Sequence, residues 1–330
     1  MGKFLTSEKP KQVALKQASP TISTAAKDDG TYKEHAYPFC LPRNLAEGNL
    51  YPPIRTTIRE YFERNKIKWH DGQDGKPSNH MCDSQVCCAN FLFPFSDKPE
   101  ALAALLKPVF PDLREMLPIE DGLYVAFEWI GQENYLHEKI SRNGQRTRGA
   151  NYTSADSAIR FRRADGREQI SLIEWKYTES YSSVNLEVAA SGQSRVEIYR
   201  WLFEQPDCPI DKGKLPCFEA LFYEPFYQFM RQQFLAHEME KARELGADIV
   251  SLLHIAPAHN LDFRTITSPL LRTPGSSATD IWKALVTLQD RFISVSTESL
   301  FGQLDADQFQ ELKEWQAYIQ ARYTWMTGNS

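Results

Sequence analysis

The sequence lacks any apolar run near the roughly 18–20 residues that span a bilayer, so no membrane-embedded chain is expected. Met1 to Pro10 is polar and carries no apolar signal-peptide core, which makes the cytoplasm the expected compartment. A Gly-rich loop closing on Lys-Ser or Lys-Thr is missing, which argues against a nucleotide-driven motor. So is the Gly-x-Ser-x-Gly elbow of a serine hydrolase. Paired Cys-x-x-Cys units are absent too. His70, His80, Cys82, Cys87 and Cys88 therefore do not have the spacing of a four-ligand zinc site, and buried reduced thiols are expected there. Six cysteines in 330 residues, with no secretory signal, give no reason to expect a disulfide framework.

Positive charge is also in short supply. A formal net charge of −5 does not point to a nucleic-acid binder, and only a local basic patch could restore that reading. Such a patch exists. Lys139, Arg142, Arg146, Arg148, Arg160, Arg162 and Arg163 are accompanied by a single acid, Asp156, so this stretch carries +6 and leaves −11 for the rest of the chain. Arginine matches phosphate with a two-pronged fork. Arg142, Arg146, Arg148, Arg160 and Arg162 are accordingly the expected nucleic-acid contacts. The competing reading is a solvated charged loop.

The chain is 42% hydrophobic, enough to bury a core in one large domain or two small ones. Residues 1–35 are poor in apolar periodicity and read as a mobile tail. Residues 36–120 read as helices and loops, with helical character over Ile54–Lys66 and over Pro99–Leu117. Residues 121–265 form the expected core: a strand over Leu123–Ile130, strands Ala155–Arg163 and Glu168–Tyr177, helices Val188–Glu204 and Glu224–Leu245, and a buried strand over Ile249–Ile255. Gly246 is placed to end the second helix. Residues 266–330 read as closing helices, Thr279–Asp290 and Asp307–Trp325.

The chemistry concentrates on one hairpin. Glu174 and Lys176 are two apart on a strand and so point to one face. A three-residue loop, Ala164-Asp165-Gly166 with Gly166 left-handed, centres the hairpin on Asp165 and sets Asp156 opposite Glu174. Asp156, Glu174 and Lys176 then share a face, while Ile159, Phe161, Ile173 and Trp175 turn to the core. A two-residue loop would shift the register by one and remove Asp156 from that face. Two carboxylates beside a lysine suit a hard cation such as Mg²⁺, which can activate water and shield a phosphate. Nearby carboxylates oppose any fall in the lysine pKa, so Lys176 is not expected to be a neutral base. The bland alternative is a surface ladder of ion pairs.

The segments Tyr152-Thr153-Ser154-Ala155-Asp156 and Leu172-Ile173-Glu174-Trp175-Lys176-Tyr177 resemble the PD-(D/E)XK nuclease superfamily, in a restriction-endonuclease-like branch of poorly characterised bacterial proteins. Ala155 stands where the proline of the name would be. The resemblance implies an α/β fold with a restriction-endonuclease-like core: a mixed central sheet with an antiparallel active-site hairpin, flanked by helices. It also implies an upstream glutamate, with Glu128 the candidate and Glu133 and Glu138 its rivals. Supporting polar groups are implied early on the following helix, with Gln193 foremost and Arg195 and Tyr199 beside it.

The reading is thus a Mg²⁺-dependent endonuclease, with Mn²⁺ able to stand in. Asp156 and Glu174 are the expected metal ligands, Lys176 and Glu128 complete the catalytic set, and DNA is favoured over RNA as substrate. No membrane partner is expected, and a homodimer is left open. The alternative is a non-cleaving nucleic-acid-binding or assembly protein on a nuclease-like fold.

Overall fold

A computed structural model describes residues 2–139, 146–150, 152–305 and 307–328. The chain opens with helix α1 (Lys3–Ala18), a short hairpin β1 (Gly30–Tyr32) and β2 (His35–Tyr37), and helices α2 (Arg55–Arg64), α3 (Ser84–Leu92) and α4 (Pro99–Leu106). Strands β3 (Leu113–Leu117), β4 (Val125–Trp129), β5 (Ala155–Arg163) and β6 (Glu168–Trp175) follow. Helices α5 (Arg195–Glu204) and α6 (Phe226–Ala242) then lead to β7 (Ile249–Ala256). Helix α7 (Ala278–Leu285), strand β8 (Phe292–Ser296), and helices α8 (Thr297–Phe301) and α9 (Lys313–Arg322) close the chain.

One mixed sheet organises these elements, in the order β3-β5-β6-β7-β8, with β4 also pairing β5. Strands β3 to β6 pair antiparallel, whereas β6-β7 and β7-β8 run parallel. β3 takes the Arg160–Arg163 end of one edge of β5, and β4 takes its Ala155–Ile159 end. Every residue of β7 is buried, as expected for a parallel strand covered on both faces. Ile159, Phe161, Ile173, Trp175, Leu253 and Ile255 pack into one core with α2, α3, α4 and α9. Ala158, Ile170, Leu172, Val250 and Leu252 pack into the other, under α5, α6 and α7. The period-two alternation along β5 and β6 thus divides the two cores. Among the described residues, no helix is long and apolar enough to cross a membrane.

Four expectations need correction. Residues 1–35 are not a mobile tail throughout: α1 buries Phe4, Glu8, Gln12 and Lys16 along one stripe. Three of those four are polar, so the helical face carries almost no hydrophobic periodicity to read. Their partners are specific. The Tyr177 hydroxyl donates to Glu8 Oε2 at 2.8 Å, Gln12 Nε2 donates to the Arg322 carbonyl at 3.0 Å, and Lys16 Nζ donates to the Cys40 carbonyl at 3.1 Å.

The helix begun at Pro99 stops at Leu106, not Leu117, because Pro108 has no amide to donate back along the helix and Pro111 follows. Leu113–Leu117 is instead strand β3. Helix α5 starts at Arg195, not Val188, with Ser194 Oγ accepting from the Glu197 amide at 3.3 Å. Strand β8 lies in the region read as purely helical. The sheet therefore draws β3 and β8 from outside residues 121–265, and that boundary does not enclose the core.

Candidate active site

The β5–β6 hairpin turns through Ala164, Asp165 and Gly166. Gly166 has φ +85°, a conformation that side chains resist. The Arg163 amide donates to the Arg167 carbonyl at 2.8 Å, which closes the loop. Pairing runs from Arg162 opposite Glu168 to Ser157 opposite Ile173, so the next step along the ladder sets Asp156 opposite Glu174. On the other edge of β5, Phe127 opposes Ser157 and Trp129 opposes Ala155, which sets Glu128 level with Asp156. Three acids on adjacent strands thus fall in one row, at strand spacings of about 5 Å. The row continues through His254 and Ser294.

Lys176 follows the last residue of β6, yet its amide still donates to the Ile255 carbonyl at 2.8 Å. The backbone therefore stays extended one residue further, and Lys176 shares the face of Glu174. Its ammonium ion-pairs with Glu174 Oε1. Glu174 Oε2 accepts from Gln232 Nε2 of α6, which also donates to the Ser154 carbonyl at 3.0 Å. Asp156 Oδ2 accepts from the Trp175 amide at 2.7 Å. Glu128 has φ +49°, which re-aims its side chain within the strand. Its Oε1 accepts from Gln85 Nε2 at 2.7 Å and its Oε2 from Ser154 Oγ at 3.0 Å, while His70 Nε2 lies 3.6 Å from Oε1.

Burial decides the electrostatics. Glu128 and Glu174 are fully enclosed and Lys176 almost so. Isolated buried charges cost several kcal/mol each, so such a cluster persists only when paired. Desolvation pushes the Asp156 carboxyl well above its usual range, and the neighbouring Glu174 adds to the rise. Desolvation also raises Glu128, against the pull of His70 and the Gln85 and Ser154 hydrogen bonds. Burial alone would lower Lys176, but Glu174, Tyr181, Asp156 and Glu179 outweigh it, and the lysine is held above its ordinary value. Lys176 is a cation in this site. His254, beside Glu174, is pushed down to about 3 by burial and is neutral.

The donor set is two facing carboxylates, both oxygen ligands: Asp156, with Ser154, lines a cavity of about 1200 Å³, while Glu174 is enclosed. That chemistry fits a hard cation that keeps several waters. Among the described residues, no three His, Cys, Asp or Glu side chains are arranged to hold a metal ion. Glu128 is turned toward Gln85 and Ser154 instead of completing such a group.

Other expected residues fall elsewhere. Glu138 lines the cavity but accepts from the Thr153 amide at 2.8 Å and the Tyr199 hydroxyl at 2.8 Å. Gln193, exposed in the turn before α5, lines the same cavity as Asp156, together with Arg195 and Tyr199, while the amide that reaches Glu174 is Gln232. No periodicity argument singles out Gln232; only the packing of α6 on the sheet does.

The described arginines of the basic patch have partners within the fold. Arg160 pairs with Glu168 at 2.5 Å, Arg162 with Glu115 and Glu168, and Arg163 with Asp112 at 2.7 Å, all toward the hairpin tip and away from Asp156. Arg148 is bound to Glu120 at 2.6 Å and to the Glu128 carbonyl at 3.1 Å. Arg146 donates to the carbonyls of Gly131 and Gln132, both at 3.2 Å. These contacts help to fix β3, β4 and the hairpin. Arg142 lies outside the described residues. Cys82, Cys87 and Cys88 pack in the first core.

The sequence matches the family described as Restriction Endonuclease associating with ARP over residues 11–324. No curated protein and no solved structure matches the chain.

Proposed function

Because this chain belongs to the family described as Restriction Endonuclease associating with ARP, we propose that it is a divalent-metal-dependent nuclease of the PD-(D/E)XK type. Membership implies contact with nucleic acid, and the proposed reaction is hydrolysis of a phosphodiester, with DNA the favoured substrate. The observation that carries the reading is the row of Glu128, Asp156 and Glu174 on adjacent strands, with Lys176 ion-paired to Glu174.

Asp156 and Glu174 are the proposed ligands of Mg²⁺, for which Mn²⁺ can substitute. The bound ion supplies positive charge against the phosphate and lowers the pKa of water. The side chains divide the remaining work. Lys176, protonated, favours the anionic form of the attacking water and offsets the charge that builds on the phosphate oxygens. Gln232 and Ser154 fix the carboxylates of Glu174 and Glu128. During attack the water oxygen bonds to phosphorus and gives up a proton to solvent, the bond from phosphorus to the sugar oxygen breaks, and that oxygen takes a proton from solvent and leaves as a hydroxyl.

One observation favours a second reading, a protein that binds nucleic acid or assembles with a partner without cutting. Both oxygens of Glu174 already have protein partners, Lys176 and Gln232. Incubating the full chain with plasmid, single-stranded DNA and RNA, in Mg²⁺, in Mn²⁺ and in chelator, separates the two. Cleavage that needs the metal and disappears in Asp156→Ala and Glu174→Ala supports the nuclease. Wild-type cleavage by Asp156→Ala, or no cleavage and no metal binding by the native chain, rejects it.

A further inference from the structure

The cavity beside Asp156 is lined by the acids Glu138, Glu197 and Glu224 and by two arginines, Arg195 and Arg231, that the hairpin does not explain. Arg231 stands on α6 next to Gln232 and lines this cavity. Its Nε is buried without a hydrogen-bond partner, and its Nη1 reaches only Thr153 Oγ1, at 3.5 Å. Among the described residues it makes no ion pair with a carboxylate. It lies over the Tyr227 ring at 4.7 Å, and Arg195 lies over the same ring at 5.6 Å. Arg160, Arg162 and Arg163 are in direct ion pairs with acids; Arg231 feels the charge of Glu224 and Glu138 across the same cavity but is in direct ion contact with neither. An enclosed guanidinium with open donors facing a cavity is suited to a phosphate.

The same cavity has a flat aromatic wall. The His137 and Trp201 rings stack at 4.8 Å with an interplanar angle of 12°. His137 is exposed and has φ +51°. Its neighbour Glu138 holds it in place by accepting from the Thr153 amide at 2.8 Å, Thr153 Oγ1 at 2.5 Å and the Tyr199 hydroxyl at 2.8 Å. Thr153 also contacts Arg231 and lies three residues before Asp156, so ring platform, guanidinium and carboxylate are tied through one short segment. Bases in a duplex are already stacked on each other, and only an unpaired base gains from a free ring face.

We propose that this cavity is a nucleotide subsite for single-stranded nucleic acid, with a backbone phosphate on Arg231 and an unpaired base on the His137–Trp201 platform. The inference rests on the nuclease reading and deepens it by naming the strandedness of the substrate.

The test is equilibrium binding of the full chain in chelator, with a labelled single-stranded DNA, a single-stranded RNA and a DNA duplex of one sequence. Single strands are expected to bind about tenfold or more tighter than the duplex. Trp201→Ala and His137→Ala are each expected to weaken single-strand binding about 5- to 100-fold and to leave duplex binding within about twofold. Arg231→Gln is expected to weaken binding to every substrate and to lower the salt slope by about one, with Arg231→Lys retaining the slope. Should Trp201→Ala fail to fold, the exposed His137→Ala carries the comparison.

Duplex bound as tightly as single strand overturns the proposal. So does equal loss on both by the platform variants, or absence of binding to all three. Binding in chelator is independent of cleavage. A single-strand preference in a protein that never cuts sinks the nuclease reading alone, whereas metal-dependent cutting with duplex preference sinks this one alone.

Discussion

Asp156→Asn is the sharpest probe of the site's electrostatics. The substitution keeps an oxygen that can accept from the Trp175 amide, as Asp156 Oδ2 does at 2.7 Å. It removes a carboxyl whose ionisation is opposed by desolvation and by Glu174. In the folded chain Asp156 therefore holds its proton to a higher pH than in the unfolded chain, where it titrates at about 3.9. Between those two values the native state binds more protons, so stability falls as pH rises, by at most about 1.4 kcal/mol per pH unit for one group. Below the unfolded value, this contribution is fully present. Other groups titrate in the same range: Glu128 with the same sign, and His80 and His254, lowered to about 4 and about 3, with the opposite sign. Comparing wild type with the variant at each pH cancels them to the extent that they titrate independently of Asp156.

Urea unfolding in chelator from pH 4.5 to 8 is the assay, over roughly the window that these shifts define. The variant's advantage should grow with pH, by up to about 1.4 kcal/mol per unit, and then level off above the folded pKa of Asp156. Parallel pH profiles for the two proteins would refute the claim that Asp156 is strained by burial and by Glu174.

Mg²⁺ at about 100 times its Kd should stabilise the wild type by about 2.7 kcal/mol, and by far less in Asp156→Asn; thermal melts with and without the ion measure this. Gln232→Leu removes the donor to Glu174 Oε2 and leaves that enclosed oxygen unsatisfied, which should lower stability by about 1–3 kcal/mol in urea titration. Tyr177→Phe removes the hydroxyl that donates to buried Glu8 and should cost about 1–3 kcal/mol, whereas a mobile tail would give no effect.

What was legible in the sequence follows physical locality. The hairpin register depended on three consecutive residues and a two-residue strand period, and Gly166 with its positive φ realises that loop. The fully buried β7 was equally plain, because a parallel strand covered on both faces is a mostly apolar run, broken here by Ser251 and His254. What stayed hidden depends on distant partners. Helix α1 docks through Glu8, Gln12 and Lys16, whose acceptors and donors lie on Tyr177, Arg322 and Cys40. A polar stripe looks like a solvated face until its partners are known.

The arginines teach the same point in reverse. Counting charge between Lys139 and Arg163 gives a strong positive segment, yet Glu115, Glu120, Glu168 and Asp112 come from other strands and loops to neutralise it. Sequence density of charge measures composition; a binding surface needs cations that the fold leaves unpaired. By that criterion the residue to watch is Arg231, which among the described residues makes no direct ion pair and which no local count would select on a helix rich in Phe, Met and Gln. It shares α6 with Gln232, and α6 lies across the face of the sheet that carries Asp156 and Glu174. One helix thus brings both the amide that orients the buried carboxylate and the open guanidinium beside the cavity. The site's acids are read from the hairpin, and the proposed phosphate contact is read from the helix packed over it.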